Sequence, residues 1–290
     1  MREDAEAAPA KINLALHVIG RRADGYHELE SLVIFAGVGD ELHARPAPTD
    51  TLIIDGPFAA GLDSGPTNLV MRAVAAFRER WPGSVGNGVA LRLTKNLPVA
   101  SGIGGGSADA AAALRLLKRQ STSPVLQADL IEIGARLGAD VPVCLLSRPA
   151  EMRGIGERVT PLPQFPSFHL VLVNPMQAVS TPEVFRNLAQ RDNGPLPALP
   201  DPLSDPEQLT AWLAETRNDL QPPAIALVGA IGDLIEQLAQ TPGCMLARMS
   251  GSGATVFGLF ASGAEAKEAA DQLQAEWPNF WVAAAPVVLP

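Results

Sequence analysis

The stretch Leu97-Pro-Val-Ala-Ser-Gly-Ile-Gly-Gly-Gly-Ser-Ala-Asp-Ala-Ala-Ala-Ala-Leu114 decides how the chain is interpreted. Its four glycines lie within residues 102–106, and an alanine-rich run follows them. Glycine permits positive φ and lets backbone N–H groups approach a ligand closely, and a helix N-terminus adds unpaired N–H donors and partial positive charge. The stretch therefore predicts a phosphate-binding loop at the start of a helix. The small alanines let that helix lie close to its neighbours.

Two common phosphate-binding motifs do not fit this stretch. A P-loop requires a lysine after its last glycine, and none follows here. A dinucleotide fingerprint requires a third glycine where Ser107 stands and a strand directly before the loop, whereas Lys95-Asn-Leu-Pro98 intervenes. At this point, a flexible loop or a close helix contact remains the alternative to a phosphate site.

The rest of the chain mixes strands and helices without regular alternation, which favours an α+β fold over a doubly wound one. Gly and Pro accumulate near residues 153–166, so we expect two domains, 1–158 with the glycine-rich phosphate loop and 159–290. Apolar periodicity predicts strands near 10–19, 30–38, 41–45, 51–55, 89–93, 169–174, 255–260 and 280–288. It predicts helices near 68–80 (with Thr67 as N-cap), from 107 or 109 to 118, 126–137, 182–190, 206–216, 222–228, 229–240 and 263–276.

Composition excludes several classes of function. The 290 residues carry a net charge of −9 and no basic run, which argues against a nucleic-acid binder or a basic membrane-surface protein. The longest uncharged tract, 160–182, contains several prolines, and the N-terminus has no apolar signal-peptide core. The two cysteines form no disulfide framework. We expect a cytoplasmic protein with no membrane association.

Two pairs of residues could carry chemistry. Lys11 lies in an apolar strand and Asp140 follows a helix end, so each has a plain structural explanation, as a strand-edge charge and a turn residue. If both face the phosphate loop, they suit phosphoryl transfer, with the carboxylate orienting a hydroxyl and the ammonium offsetting charge. Tyr26 and His27 occupy a turn, where they are either surface residues or a platform for a flat ring.

Three separated blocks of this sequence resemble the three motifs of the GHMP kinases. They are Pro9-Ala-Lys-Ile-Asn-Leu14, Leu97 to Ser107, and Ser250-Gly-Ser-Gly-Ala254. Three further blocks narrow the resemblance to the branch that acts on cytidine diphosphate methylerythritol in the non-mevalonate route to isoprenoid precursors: Arg22-Ala-Asp-Gly-Tyr-His27, Leu137-Gly-Ala-Asp-Val-Pro142 and Thr181-Pro-Glu-Val-Phe185. The resemblance covers residues 8 to 288 approximately. It implies an N-terminal ribosomal-S5-like domain, 1–158, that binds ATP, and a C-terminal ferredoxin-like domain, 159–290, on the substrate side.

The resemblance also implies the reaction and its residues. ATP would phosphorylate the tertiary 2-hydroxyl of the cytidine diphosphate substrate, with Asp140 as catalytic base, Lys11 as its electrostatic partner and Mg²⁺ near Ser107. The substrate would be held by Asn13, Tyr26, His27 and Phe185. The rings of Tyr26 and Phe185 would enclose the cytosine, and His27 would bind its edge. The nucleotide would be held by Asn68, Lys95, Pro98, Val99, Ala100, Ser101, Gly102, Ile103, Gly104, Gly105, Gly106, Ser107 and Ala108.

One position departs from the family pattern. Ala108 stands where the family commonly has a second serine, so one hydroxyl contact to phosphate is lost while backbone donors remain. Two alternatives stay open: a GHMP kinase for another alcohol, such as mevalonate or homoserine, and a non-catalytic nucleotide-binding protein on the same scaffold. No obligate protein partner is evident from the sequence.

Overall fold

The computed structural model describes residues 4–289, which fall into two compact units. The first unit comprises the described residues up to Ala10 together with Gly39–Val99 and Gly104–Ser147. The second comprises Lys11–Val38, Ala100–Ile103 and the described residues from 148 onward. Both units are discontinuous in sequence. The predicted contiguous domains, 1–158 and 159–290, divide the chain along a different line, and that division stays a prediction.

Two long, paired strands contribute to both units. They are β1 (Asp4–Arg21) and β2 (His27–Ala47). The sequence predicted two strands where β2 is continuous, because Gly39 and its neighbours resemble a break. In the structure a Cβ at Gly39 would lie 2.3 Å from the carbonyl oxygen of Ala8. This glycine therefore allows two strands to approach closely and does not end a strand.

The first unit combines paired strands with packed helices. Strand β3 (Thr51–Asp55) runs parallel to β4 (Gly88–Thr94), which pairs antiparallel with residues 41–47 of β2. The helices of this unit are α1 (Leu69–Arg80), α2 (Gly105–Gln120), α3 (Gln127–Leu137) and α4 (Val141–Leu146). Helix α2 packs against α1 and α4, and its alanines are buried, as their small size allows.

The second unit contains an antiparallel sheet covered by helices. Residues 29–33 of β2 pair with β5 (Ala150–Gly154), which pairs with β6 (Arg158–Pro161). A further sheet is formed by β7 (His169–Asn174), β8 (Cys244–Met249), β9 (Val256–Phe260) and β10 (Trp281–Pro286). Its strand order is β10-β7-β9-β8. The helices are α5 (Thr181–Arg186), α6 (Pro206–Ala214), α7 (Gln221–Leu227), α8 (Ala230–Gln240) and α9 (Gly263–Glu276).

Helices α8 and α9 cover this sheet with an apolar stripe each. Leu234 and Leu238 of α8 and Leu273 of α9 join one buried cluster with the strands. Burying such a side chain contributes about 1.5–3 kcal/mol. A Cβ at Gly258 of β9 would lie 3.0 Å from Leu238, so a glycine lets α8 approach the sheet. Within residues 4–289, no helix combines the length and apolar character needed to cross a membrane.

Most predicted elements are present, but short ones were missed. Helix α9 spans the predicted residues, with the Ser262 hydroxyl accepting from the Glu265 N–H as its cap. The predicted helix 182–190 is shorter, since α5 already ends at Arg186. No helix or strand is predicted at α4, β5, β6 or β8. An apolar run such as that of α4 does not distinguish a helix from a strand, and β5, β6 and β8 contain charged residues that interrupt the apolar pattern, unlike β7 and β9.

Candidate active site

The glycine loop ends at the open N-terminus of α2. Gly104 precedes the helix with φ +67°, and no side chain within residues 4–289 caps the first turn. A Cβ at Gly106 would meet open space. The first backbone N–H groups of α2 are thus left for a ligand, and the helix dipole favours a negatively charged one. The sequence predicted that residues 98–108 hold the phosphates of a nucleotide, and this stays a prediction.

The preceding segment, Ala100–Ile103, belongs to the second unit and is bonded there through its backbone. The Lys11 N–H donates to the Ile103 carbonyl at 2.9 Å. The Ser250 hydroxyl donates to the Gly102 carbonyl at 3.1 Å and accepts from the Asn13 N–H at the same distance. The structure therefore brings the first resemblance block and the third together on this segment.

The stretch 250–254 lies against residues 101–103 and is more than a tight turn. Gly102 has φ +75°, and a Cβ there would lie 2.6 Å from the Ser250 carbonyl oxygen. Gly251 has φ +55°, and a Cβ there would lie 2.6 Å from the Gly102 carbonyl oxygen. The Asn218 side-chain amide donates to the carbonyls of Met249 and Gly251, both at 2.8 Å. Two glycine stretches thus touch through their backbones, and side chains at these positions would separate them.

Lys95 is buried in the first unit, 5% exposed, between two carboxylates. Its ammonium donates to Asp40 in a short hydrogen bond and to Asp109 Oδ2 at 2.8 Å. The other Asp40 oxygen accepts from the backbone N–H groups of Asn96 and Leu97 at 2.6 and 2.9 Å. The sequence predicted that Lys95 lines the nucleotide site, and this stays a prediction. The structure adds that two carboxylates already balance its charge.

These ionic contacts change the protonation of the cluster. Burial raises the pKa of Asp109 to about 7; Lys95 opposes that rise and the neighbouring Asp40 adds to it. Burial lowers the pKa of Lys95, but its two carboxylate partners outweigh burial and raise it. The lysine therefore stays charged beside its carboxylate partners.

Asn68 holds the start of α1. Its side-chain oxygen accepts from the Val70 N–H at 2.9 Å, and its amide donates to the Asp63 carbonyl at 2.7 Å. The prediction of Thr67 as N-cap was wrong: Thr67 donates its hydroxyl to Asp63, which lies in the loop before the helix. Asn68 sits one residue later, where a cap side chain reaches the first helical turn. Its proposed contact with the nucleotide stays a prediction.

The predicted substrate residues include one contact between rings. His27 and Phe185 are stacked, with ring centroids 4.8 Å apart and an interplanar angle of 22°. Tyr26 is 61% exposed. The structure therefore places Phe185 against His27, and the enclosure of a cytosine by Tyr26 and Phe185 stays a prediction. Burial lowers the pKa of His27, and the charges of Arg21 and Arg191 lower it further, which favours a neutral imidazole.

Two predicted substrate residues carry buried polar atoms without partners. Asn13 donates its amide to the Ser31 hydroxyl at 2.7 Å, while its Oδ1 has no partner in the part of the chain that the structure describes. The same is true of His27 Nε2 among residues 4–289. An unpaired buried polar atom costs about 1–3 kcal/mol. A ligand that supplies the missing partner removes that cost.

Lys11 belongs to the second unit and Asp140 to the first. Lys11 is 5% exposed on β1. Asp140 is half-buried and directly precedes α4 of the first unit, where its carbonyl accepts from the Cys144 N–H. Pro142 in the first turn of α4 fixes the backbone next to this aspartate. The catalytic pairing of these residues stays a prediction.

A metal ion at this site would depend on few protein atoms. Residues 4–289 hold no group of three or more His, Cys, Asp or Glu side chains that could bind a metal. Ser107 offers one half-buried hydroxyl in the first turn of α2. Mg²⁺ commonly keeps several waters and takes its other ligands from substrate phosphates, so a single hydroxyl oxygen beside a phosphate loop fits it.

Sequence reasoning missed Asp40 and Ser250 as residues that shape the loop. Asp40 follows Gly39 in a segment that resembles a turn, and only the folded chain brings it to Lys95. The sequence identifies Ser250 only as the first residue of the third resemblance block, 250–254. Nothing in the order of residues indicates that its hydroxyl bonds the Gly102 carbonyl.

Family models cover both parts of the chain. The GHMP kinases N terminal domain matches residues 68–148, and the GHMP kinases C terminal domain matches residues 198–279. The first match contains the glycine loop and Asp140. The second contains Asn218 and the stretch 250–254.

Named relatives match over nearly the whole length. A 4-diphosphocytidyl-2-C-methyl-D-erythritol kinase of Parvibaculum lavamentivorans is 55% identical, with 96% of each chain covered. One from Chelativorans sp. is 49% identical, covering 96% of this chain and 94% of the relative. A crystal structure of 4-(cytidine 5'-diphospho)-2C-methyl-D-erythritol kinase aligns with a TM-score of 0.78 and 35% identity, covering 98% of this chain and 99% of that one.

Proposed function

This chain belongs to the GHMP kinase family, and we propose that it uses ATP to phosphorylate the 2-hydroxyl of 4-diphosphocytidyl-2-C-methyl-D-erythritol. The observation that carries the proposal is identity of about half the residues with kinases named for that substrate, over nearly the full length of both chains. The reaction would supply an intermediate of the non-mevalonate route to isoprenoid precursors. GHMP kinases of this kind use ATP as phosphate donor.

The open N-terminus of α2 supports the binding of ATP. Its uncapped N–H groups follow the backbone-bonded segment 100–103, and the open space at Gly106 leaves room for a phosphate oxygen. Backbone donors held in place before the reaction need no reorganisation when charge develops on the transferred phosphoryl group. A bound Mg²⁺ would supply further charge neutralisation, with Ser107 as the residue that holds it.

Asp140 and Lys11 would act on the alcohol. A carboxylate is too weak a base to ionise an alcohol outright, so Asp140 orients the hydroxyl and accepts its proton late in a loose transition state. The bond from the γ-phosphorus to the substrate oxygen forms as the bond to the ADP oxygen breaks. The ammonium of Lys11 offsets the negative charge that develops on the substrate oxygen.

The ring pair of His27 and Phe185 supports a cytosine site. A neutral imidazole can donate from one ring nitrogen and accept at the other, which suits the mixed donors and acceptors of a pyrimidine edge. The Nε2 atom of His27 is buried and has no hydrogen-bond partner among the described residues. Tyr26, exposed and one residue away, would close over the opposite face of the base.

A substrate panel tests the proposal. The purified full chain, with ATP and Mg²⁺, should release ADP with 4-diphosphocytidyl-2-C-methyl-D-erythritol, and phosphorus NMR should place the new phosphate on the 2-position. Turnover with mevalonate or homoserine, and none with the cytidine compound, would overturn it. A cytoplasmic location and the lack of an obligate protein partner remain predictions.

A further inference from the structure

We propose that Lys95 is a positioning residue that joins the two ends of the glycine loop before nucleotide binds. The inference rests on the proposed kinase activity and concerns the buried cluster of Lys95, Asp40 and Asp109. All three side chains are at most 5% exposed. A buried cation between two buried anions is costly to assemble, and removal of the cation leaves two buried carboxylates uncompensated.

Each carboxylate connects Lys95 to a different end of the loop. Asp40 accepts from the N–H groups of Asn96 and Leu97, the residues directly before Pro98. Asp109 lies at the start of α2, directly after Ala108. Because Lys95 donates to both carboxylates, one ammonium links the entry of the loop to its exit.

The first residue of α2 lies directly against this cluster. A Cβ at Gly105 would be 3.5 Å from Lys95 Nζ and 3.6 Å from Asp40 Oδ2. The ammonium thus supports the turn whose backbone N–H groups face a phosphate. It also offsets a carboxylate that would otherwise oppose anion binding at the helix N-terminus.

This arrangement assigns Lys95 a role that does not require contact with ATP. A loop held at both ends pays less ordering entropy when the ligand binds, so apparent affinity rises without any added contact. The predicted consequence is selective: the KM for ATP depends on the cluster, whereas the KM for the alcohol does not.

Asp109 provides the sharpest variant, because its removal leaves Lys95 paired with Asp40. Asp109→Leu cuts only the connection to α2, while Asp109→Asn keeps an acceptor for the ammonium. We expect Asp109→Leu to raise the KM for ATP about tenfold, equivalent to about 1.4 kcal/mol. Asp109→Asn should restore most of the lost affinity, and the KM for the alcohol should change less than about twofold in both variants, which is under 0.5 kcal/mol.

Hydrogen exchange of the nucleotide-free protein gives a readout that needs no activity. In Asp109→Leu, exchange at the Ala108 amide, which bonds the Gly104 carbonyl, should accelerate. The amides of Asn96 and Leu97 should stay protected, since Asp40 still holds them. Lys95→Met should accelerate exchange at both ends of the loop.

Lys118→Met is the matched control, since Lys118 lies at the far end of α2 and donates to Gln127 on the surface. It should change neither exchange in the loop nor the KM for ATP.

Unchanged loop exchange in Asp109→Leu, or an equal rise of both KM values, would overturn the positioning role. Direct contact of Lys95 with ATP predicts instead that Lys95→Met loses affinity while Asp109→Leu does not. If the wild-type chain leaves the cytidine substrate unphosphorylated, the proposed function fails while the exchange result still decides this inference.

Discussion

At the scale of single residues, Asp140 carries the chemical step proposed here. Asp140→Asn keeps the size of the side chain and removes its ability to accept a proton. Because general base catalysis contributes about 10²–10⁴-fold, we expect kcat to fall by about that factor. Binding of ATP, measured by calorimetry, should persist. Equal loss of turnover and of ATP binding would mean that Asp140 supports the fold.

Tyr26 tests the cytosine site separately. Its ring is exposed, so removing it should cost little stability. Stacking of a base on an aromatic ring is worth about 1–3 kcal/mol, so Tyr26→Ala should raise the KM for the cytidine substrate about tenfold. Tyr26→Phe keeps the stacking surface and should behave like the wild type. A matching rise in the KM for ATP would contradict this role.

At the scale of elements, two glycines of the loop have different roles: Gly102 supports the backbone packing, and Gly106 is proposed to face a phosphate. Gly102→Ala would force a methyl group to within 2.6–2.8 Å of backbone atoms at positive φ, so we expect a lower melting temperature and a weakened loop. Gly106→Ala meets no atom within 4 Å, and an alanine in a helix is favoured over glycine by roughly 0.5–1 kcal/mol.

Gly106→Ala should therefore leave the melting temperature unchanged or raise it. Its methyl group nevertheless enters the space offered to a phosphate, so the KM for ATP should rise. Thermal unfolding and steady-state kinetics on the two variants measure both effects. A lower melting temperature for Gly106→Ala, or an unchanged KM for ATP in Gly102→Ala, would contradict the roles given to these two glycines.

The same elements show how far sequence reasoning reaches. The glycine loop, α2 and α9 follow from local signals, because glycine freedom, helix capping and apolar periodicity act over a few residues. The contacts that shape the loop join distant residues. The Ser250 hydroxyl reaches Gly102, and Asp40 reaches Lys95, through the fold alone. The short helix α4 next to Asp140 gave no periodic signal.

At the scale of the whole molecule, His17 makes stability depend on pH. It is buried, its Nδ1 donates to the Gly194 carbonyl at 3.0 Å, and its Nε2 accepts from the Arg217 N–H at 3.2 Å. Only the neutral imidazole can make both bonds. Burial lowers its pKa below the usual 6.5, and the charge of Arg217 lowers it further, although the Gly194 bond and Asp219 oppose this shift.

The sign of the effect follows from proton binding. Below pH 6.5 the unfolded chain takes up a proton at His17 that the folded chain resists, so the free energy of unfolding falls as pH decreases. His17→Gln stays neutral and lacks this contribution. We expect the wild type to lose its advantage in free energy of unfolding over His17→Gln below about pH 6.5, as measured by urea unfolding from pH 8 to pH 5. A difference in free energy of unfolding that stays constant over this range would contradict a neutral, buried histidine.

The discontinuity of the second unit has a consequence for synthesis on the ribosome. Strand β2 leaves the ribosome early, yet the Phe35 carbonyl on it accepts from the Val288 N–H, near the end of the chain. Leu16 likewise exchanges backbone bonds with Arg217 and Asp219. Neither partner exists while the nascent chain is half made. The second unit can therefore complete its fold only after residue 288 has left the ribosome. Until then the apolar strands β1 and β2 lack these partners, and exposed apolar strands of this kind favour aggregation.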